Sequence, residues 1–121
     1  MSETKDQNDR DRVGLNEKSR QILDELIADG FFKDAIDAYR LAAALAIEKR
    51  VEIKDHQVQM EGHMYLRSQI DPDGHFGDSI AEIFPEYSSI KLRALEKFAD
   101  LGMPLLQDLV TKKGSLEFWD N

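Results

Sequence analysis

Ala35-Ile-Asp-Ala-Tyr-Arg-Leu-Ala-Ala-Ala-Leu-Ala-Ile47 is the stretch on which the fold turns. Past Tyr39 it is apolar on nearly every side, and a helix apolar all round is a buried one. Its alanines let another helix approach closely. The pattern predicts a helix from about Lys33 to Lys49 at the centre of the fold, or at the centre of a dimer.

Working outward toward the start, Gly30 reads as the left-handed residue that closes a preceding helix. Asn16 is a good N-cap for that helix, and Glu17 suits the positive end of its dipole. Ile22, Leu23, Leu26 and Ile27 form its apolar stripe. Val13 and Leu15 alternate with other residues and predict a very short strand, weakened by Gly14. Residues 1–11 hold no apolar residue after Met1 and are expected to be a disordered tail.

Working outward toward the end, residues 51–70 fit two short strands about Gly62, or one strand and a loop. Asp71-Pro-Asp-Gly74 is a turn, with Pro fixing φ and Gly ending it. A short helix is expected from Ser79 to Phe84 with Asp78 as its cap, and Pro85 begins a new element. Ser88 or Ser89 is expected to cap a helix that Gly102 stops. Pro104 is then expected in the first turn of a last helix ended by Gly114. Leu116, Phe118 and Trp119 are expected to pack as a terminal strand or loop. The fold class is therefore mostly α: about five helices around an alanine-rich central helix, with one or two short β elements. Residues 12–121 form one domain.

The 121 residues include no cysteine, so no disulfide or thiolate metal site is possible. The net charge is −8, and residues 71–121 hold ten acidic side chains against five basic ones. Such a surface repels phosphate backbones, so net charge disfavours DNA as a partner. No run approaches a membrane span of about 20 apolar residues. The polar opening residues are not of signal-peptide type, so a cytoplasmic location is expected.

Candidate chemistry is sparse. His56, His63 and His75 lack the helical spacing of a zinc site, and no HExxH is present. Asp71, Asp73 and Asp78 with Gly74 fail the calcium-loop pattern: Gly74 at position 6 puts Gln69 at 1 and Ile80 at 12. There is no GxSxG, P-loop or GxGxxG. No enzyme, metal or cofactor is expected. The contrary alternative is a metal-dependent hydrolase built from the histidines and aspartates of residues 56–78.

Two resemblances add to this reading. Arg12-Val-Gly-Leu-Asn-Glu-Lys-Ser-Arg-Gln-Ile-Leu-Asp-Glu-Leu-Ile-Ala-Asp-Gly-Phe-Phe-Lys-Asp-Ala-Ile-Asp-Ala-Tyr-Arg-Leu-Ala resembles the strand, helix, turn, helix layout of ribbon-helix-helix proteins. In that family two chains each lend one strand to a ribbon that enters the DNA major groove. The resemblance implies Arg12, Gly14 and Asn16 as outward strand residues, with the second-helix N-terminus at Lys33 meeting phosphate. Secondly, Gly30-Phe-Phe-Lys-Asp34, Lys49-Arg-Val-Glu-Ile53 and Leu95-Glu-Lys-Phe-Ala-Asp-Leu-Gly102 are similar to small accessory proteins of bacterial DNA phosphorothioation (Dnd) systems. That resemblance implies a nonenzymatic helper in DNA modification or defence.

The favoured reading is an accessory or regulatory protein acting through protein contacts, with a homodimer possible if the alanine-rich helix is too apolar for one chain to cover. A DNA-binding regulator of ribbon-helix-helix type is the alternative. Arg12, Lys33, Asp37 and Arg40 are the candidate contact residues for a protein partner or DNA.

Overall fold

The computed structural model describes residues 9–59 and 63–113. In chain order the elements are β1 (Arg12–Gly14), α1 (Glu17–Ala28), α2 (Ala35–Glu48), β2 (His63–Leu66), α3 (Arg67–Ile70), α4 (His75–Ile83), a 3-10 turn (Pro85–Tyr87) and α5 (Lys91–Lys113). The mostly helical class with five helices and a small sheet is as the sequence predicts.

α2 and α5 share the centre. Ala38, Ala42, Ala43 and Ala46 of α2 are all fully buried. Gly102 of α5 lies so close to α2 that a Cβ there would collide with the Ala42 carbonyl. Small residues on both helices permit this close crossing. Leu92, Leu95, Phe98, Met103, Leu106 and Val110 complete the α5 contribution to the core. The alanine-rich face that suggested a dimer is thus covered within one chain.

The crossing also corrects the expectation that Gly102 ends one helix and Pro104 opens another: α5 is continuous through both. Proline has no N–H to bond the carbonyl four residues back, and it normally costs a helix about 3 kcal/mol or more. Here the carbonyl so released belongs to Asp100, and the Ser19 hydroxyl of α1 donates to it at 2.9 Å. Two local stop signals are overridden by tertiary contacts.

α1 and α2 follow their patterns closely. Gly30 has φ +84°, and the Phe31 N–H reaches back to the Leu26 carbonyl, a closed C-terminal turn. Asp34 caps α2 by accepting from the Ile36 N–H at 2.9 Å. Asn16 precedes α1, but its side chain makes no cap bond to that helix.

The sheet has two antiparallel strands, β1 and β2, in the register Arg12↔Leu66, Val13↔Tyr65 and Gly14↔His63, with an irregularity between Val13 and Gly14. Of the two readings offered for residues 51–70, the single strand is nearer, at His63–Leu66, but Arg67–Ile70 form α3, a helix that neither reading expected. Residues 51–59 have no regular structure, yet Ile53 and Val58 are buried. Residues 60–62 lie outside the described residues. So do Gly114, Leu116, Phe118 and Trp119.

The expected tail through residue 11 also meets a different finding. Asp9 accepts from the Leu92 and Arg93 N–H groups at 3.1 and 2.8 Å, capping α5 from the far end of the sequence. Arg67 holds the same segment through Asp9 and the carbonyls of Arg10 and Asp11. The expected caps Ser88 and Ser89 are exposed.

The 71–74 turn closes as expected, with the Gly74 N–H on the Asp71 carbonyl. The helix after it is longer than expected and starts at His75, with Gly74 at the cap position. Asp78 is inside it and pairs with Lys91 at 2.8 Å. The capping carboxylate is Asp71, nearly buried, which accepts from the Phe76 and Gly77 N–H groups at 3.0 and 2.9 Å.

Candidate functional site

Two constellations stand out, one closed and one open. The closed one is a strap of residues 9–16 lying on α5. Glu96 and Asp100 are four apart on α5, hence on one face, and both are buried. Glu96 pairs with Arg10 at 3.1 Å and accepts the Gly14 N–H at 2.9 Å. Asp100 accepts the Asn16 backbone N–H at 2.8 Å and its side-chain amide at 2.9 Å, and meets His56 Nε2 at 2.6 Å. The Tyr39 hydroxyl donates to the Gly14 carbonyl at 2.9 Å.

Burial pushes the Glu96 carboxyl above its ordinary value, opposed by the Arg10 guanidinium and the Gly14 amide. Burial also raises Tyr39, reinforced by Glu96 and Asp100. These groups are engaged with one another and with backbone. Their chemistry is that of a polar clamp holding the strap and the 51–59 segment to α5.

The open constellation is a groove of about 750 Å³ between α2 and α4. Its floor is Ala44 and Ile47 from α2, Ile70 from α3, and Phe76, Ile80 and Ile83 from α4; Arg40, Glu48, Asp73, His75 and Ser79 stand along it. Ile83 is 42% exposed, one of two large apolar side chains so open among the described residues. Sequence position explains the lining. Arg40, Ala44, Ile47 and Glu48 recur every three or four residues along one face of α2, as do Phe76, Ser79, Ile80 and Ile83 along α4. Arg40 props the groove by donating to the Ile70 and Gln69 carbonyls at 2.9 and 3.4 Å. Asp71 holds the start of α4 through the two N–H groups described above.

Asp73, His75 and Ser79 bring the residue types of a nucleophilic triad to this rim. His75 meets Asp73 at 3.2 Å, but Ser79 donates its hydroxyl to the His75 backbone carbonyl at 3.0 Å. A serine nucleophile needs its proton on the imidazole, and that bond is not made. His56 sits against Asp100, in the clamp. Among the described residues no group of three or more His, Asp or Glu could hold a metal ion.

Of the residues singled out from sequence, Asp37 and Arg40 lie along the face of α2 that continues into the groove, whereas Lys33, expected on this helix, precedes its Asp34 cap; Lys33 and Asp37 are exposed. Arg12 is exposed on β1, opposite Leu66 of β2. Sequence reasoning missed Ala44 and Ile83 as exposed residues and Ile47 as a half-buried one, because apolar runs were read as core. Asp71, placed just before a helix start, was the available signal for how α4 is anchored.

No helix among the described residues is long and apolar enough to cross a membrane. Comparison with protein-family models, with curated proteins and with solved structures finds no significant match in any of the three.

Proposed function

We propose that this chain is a nonenzymatic accessory protein that works by docking a protein partner in the α2–α4 groove. The observation that carries the reading is the groove itself: an apolar floor left open beside a well-packed core. Contiguous exposed apolar surface rimmed by polar groups marks interaction sites. Support also comes from the carboxylates and histidine of the clamp, which are engaged in holding the strap. The sequence resemblance to phosphorothioation accessory proteins favours a partner from a bacterial DNA modification or defence assembly.

The ribbon reading has no comparable support. In that arrangement a strand pairs with the strand of a second chain, whereas β1 pairs with β2 of its own chain. A phosphate backbone would also meet a chain of net charge −8.

The test is site-specific photocrosslinking in cells that make the protein natively. A crosslinker at Ser79, in the groove, is compared with one at Glu25, exposed on α1. A heteromeric adduct at Ser79, absent at Glu25 and lost in an Ile83→Asp background, is expected. Equal adducts at both positions, or none at Ser79, would overturn the reading.

A further inference from the structure

We infer that the occupant of the α2–α4 groove is a cationic amphipathic helix of a second protein, its apolar stripe on the groove floor and its Lys or Arg side chains over Glu48 and Asp73. The inference rests on the docking reading above and adds the chemistry of the partner.

Dimensions come first. Arg40 to Glu48 on α2, and His75 to Ile83 on α4, each span about 12 Å at the helical rise of 1.5 Å per residue. That is room for two to three turns of a third helix lying along the groove. The floor offers what such a helix needs. Ala44 is small and exposed, so a backbone can come close. Ile83 is exposed and Ile47 and Phe76 are half-buried, so these three offer apolar contact, over the buried Ile70 and Ile80, to anchors at i, i+3, i+4 and i+7.

Charge selects among occupants. The Arg40 guanidinium is turned to the Gln69 and Ile70 carbonyls. Lys91 beside the groove is held by Asp78. His75 lies against Asp73, whose side chain is still 63% exposed. Glu48 on the rim and Glu82 on its flank are exposed and make no ion pair among the described residues. Arg40 keeps its positive charge, but Glu48, Asp73 and Glu82 outnumber it, so the accessible rim is acidic on balance, on a chain of net charge −8. An acidic rim attracts a basic partner and repels a wrong one. A second copy of this chain carries the same −8, and an anionic lipid surface or a nucleic acid carries phosphate; each is disfavoured by the same charges. The groove's openness along its length favours a rod-like segment over an enclosed small molecule.

The experiment titrates the full chain into three fluorescent helical peptides at low and high salt. One is a Leu/Lys peptide with a single apolar stripe, one is the same composition scrambled to destroy the stripe, and one replaces each Lys by Glu. Ile83→Asp alters the floor and the double variant Glu48→Lys/Asp73→Lys alters the rim. All three positions are exposed, and circular dichroism checks that each variant is folded.

The Leu/Lys peptide is expected to bind best, to weaken as salt rises, and to lose at least tenfold in affinity with either variant. Equal binding of the scrambled or the Glu peptide would overturn the partner chemistry, as would a rim variant that binds as before. Ile83→Asp separates the two levels. If it abolishes binding that charge does not influence, the groove stands and the cationic partner falls. If it leaves Leu/Lys binding intact, both fall. Failure of all three peptides sinks the cationic helix, while the crosslinking result judges the docking reading on its own. A dimer in sedimentation that Ile83→Asp dissolves would assign the groove to a second copy and equally overturn the inference.

Discussion

Along the strap, two buried carboxylates meet backbone amides, an asparagine, an arginine and a histidine, and the polar groups are satisfied at a closed surface. Across the groove, Ala44 and Ile83 lie exposed over the buried Ile70 and Ile80, and the floor stays open. The two regions share α2 yet invert the usual rule, with charge inside on one side and hydrocarbon outside on the other. Buried charge holds a fold only where its partners are all in place. Exposed hydrocarbon contributes little to a fold and is free to serve recognition. The difference teaches where this chain tolerates change and where it does not.

The largest effect should come from breaking the clamp at Asp100. Asp100→Ala strands the Asn16 N–H, its side-chain amide and His56 without their acceptor. A loss of about 3 kcal/mol is expected in urea unfolding. Ser19→Ala should cost less, about 1 kcal/mol, because it leaves only the Asp100 carbonyl beside Pro104 unpaired. Combined with Pro104→Ala, which restores an N–H to that carbonyl, most of the Ser19→Ala loss should disappear. A double-mutant cycle reads this directly.

The pH response should differ in sign between the two sides. Glu96 titrates above its ordinary 4.5 in the fold because of burial. Between 4.5 and the raised value the folded chain holds more protons than the unfolded one, so this group's contribution to stability declines as pH rises. Glu96→Gln should remove that decline, narrowing a wild-type deficit that grows toward neutral pH. Asp78, beside the groove, is shifted the other way, below 3.8, by its hydrogen bond and charge pairing with Lys91. Its contribution is present above 3.8 and is lost as pH falls through the folded value. Asp78→Asn should blunt that acid loss. Denaturant midpoints across pH 3 to 7, roughly the range where carboxylates titrate, check both. The smallest effect is expected at Ile83→Ser, within about 0.5 kcal/mol of wild type, since the side chain is already half in water. A loss as large as that of Asp100→Ala would erase the distinction between the two regions.

Much of the fold was readable from residues alone. α1 and α2 announce themselves through the Ile22–Ile27 stripe, the alanine run, and the stop at Gly30. The 71–74 turn is equally plain. What escaped was set by contacts distant in sequence. Gly102 and Pro104 are both local stop signals, and nothing near them says that Ala42 and Ser19 will carry the helix through. Asp9 looks like one more polar residue in a polar stretch until α5 places two free N–H groups beside it. The groove was hidden for the same reason. Its walls lie at residues 40–48 and 70–83, and the irregular 51–59 segment between them has no period from which their juxtaposition could follow. Arg40 was picked out from sequence for its place on the polar part of α2; the neighbours that make that face a groove were not.

The cap that Asp9 places on α5 ties the order of synthesis to the order of assembly. Residues 9–16 are made before their binding surface, which exists only once residues 92–100 are synthesised, more than eighty positions later. Contacts of such long sequence separation slow folding and make it all-or-none. During translation the early segment must wait, and α1 and α2 must keep their apolar faces from aggregating until α5 arrives. The nascent protein is therefore at its most vulnerable in the interval before α5 emerges, when a chaperone or its own docking partner would do the most good.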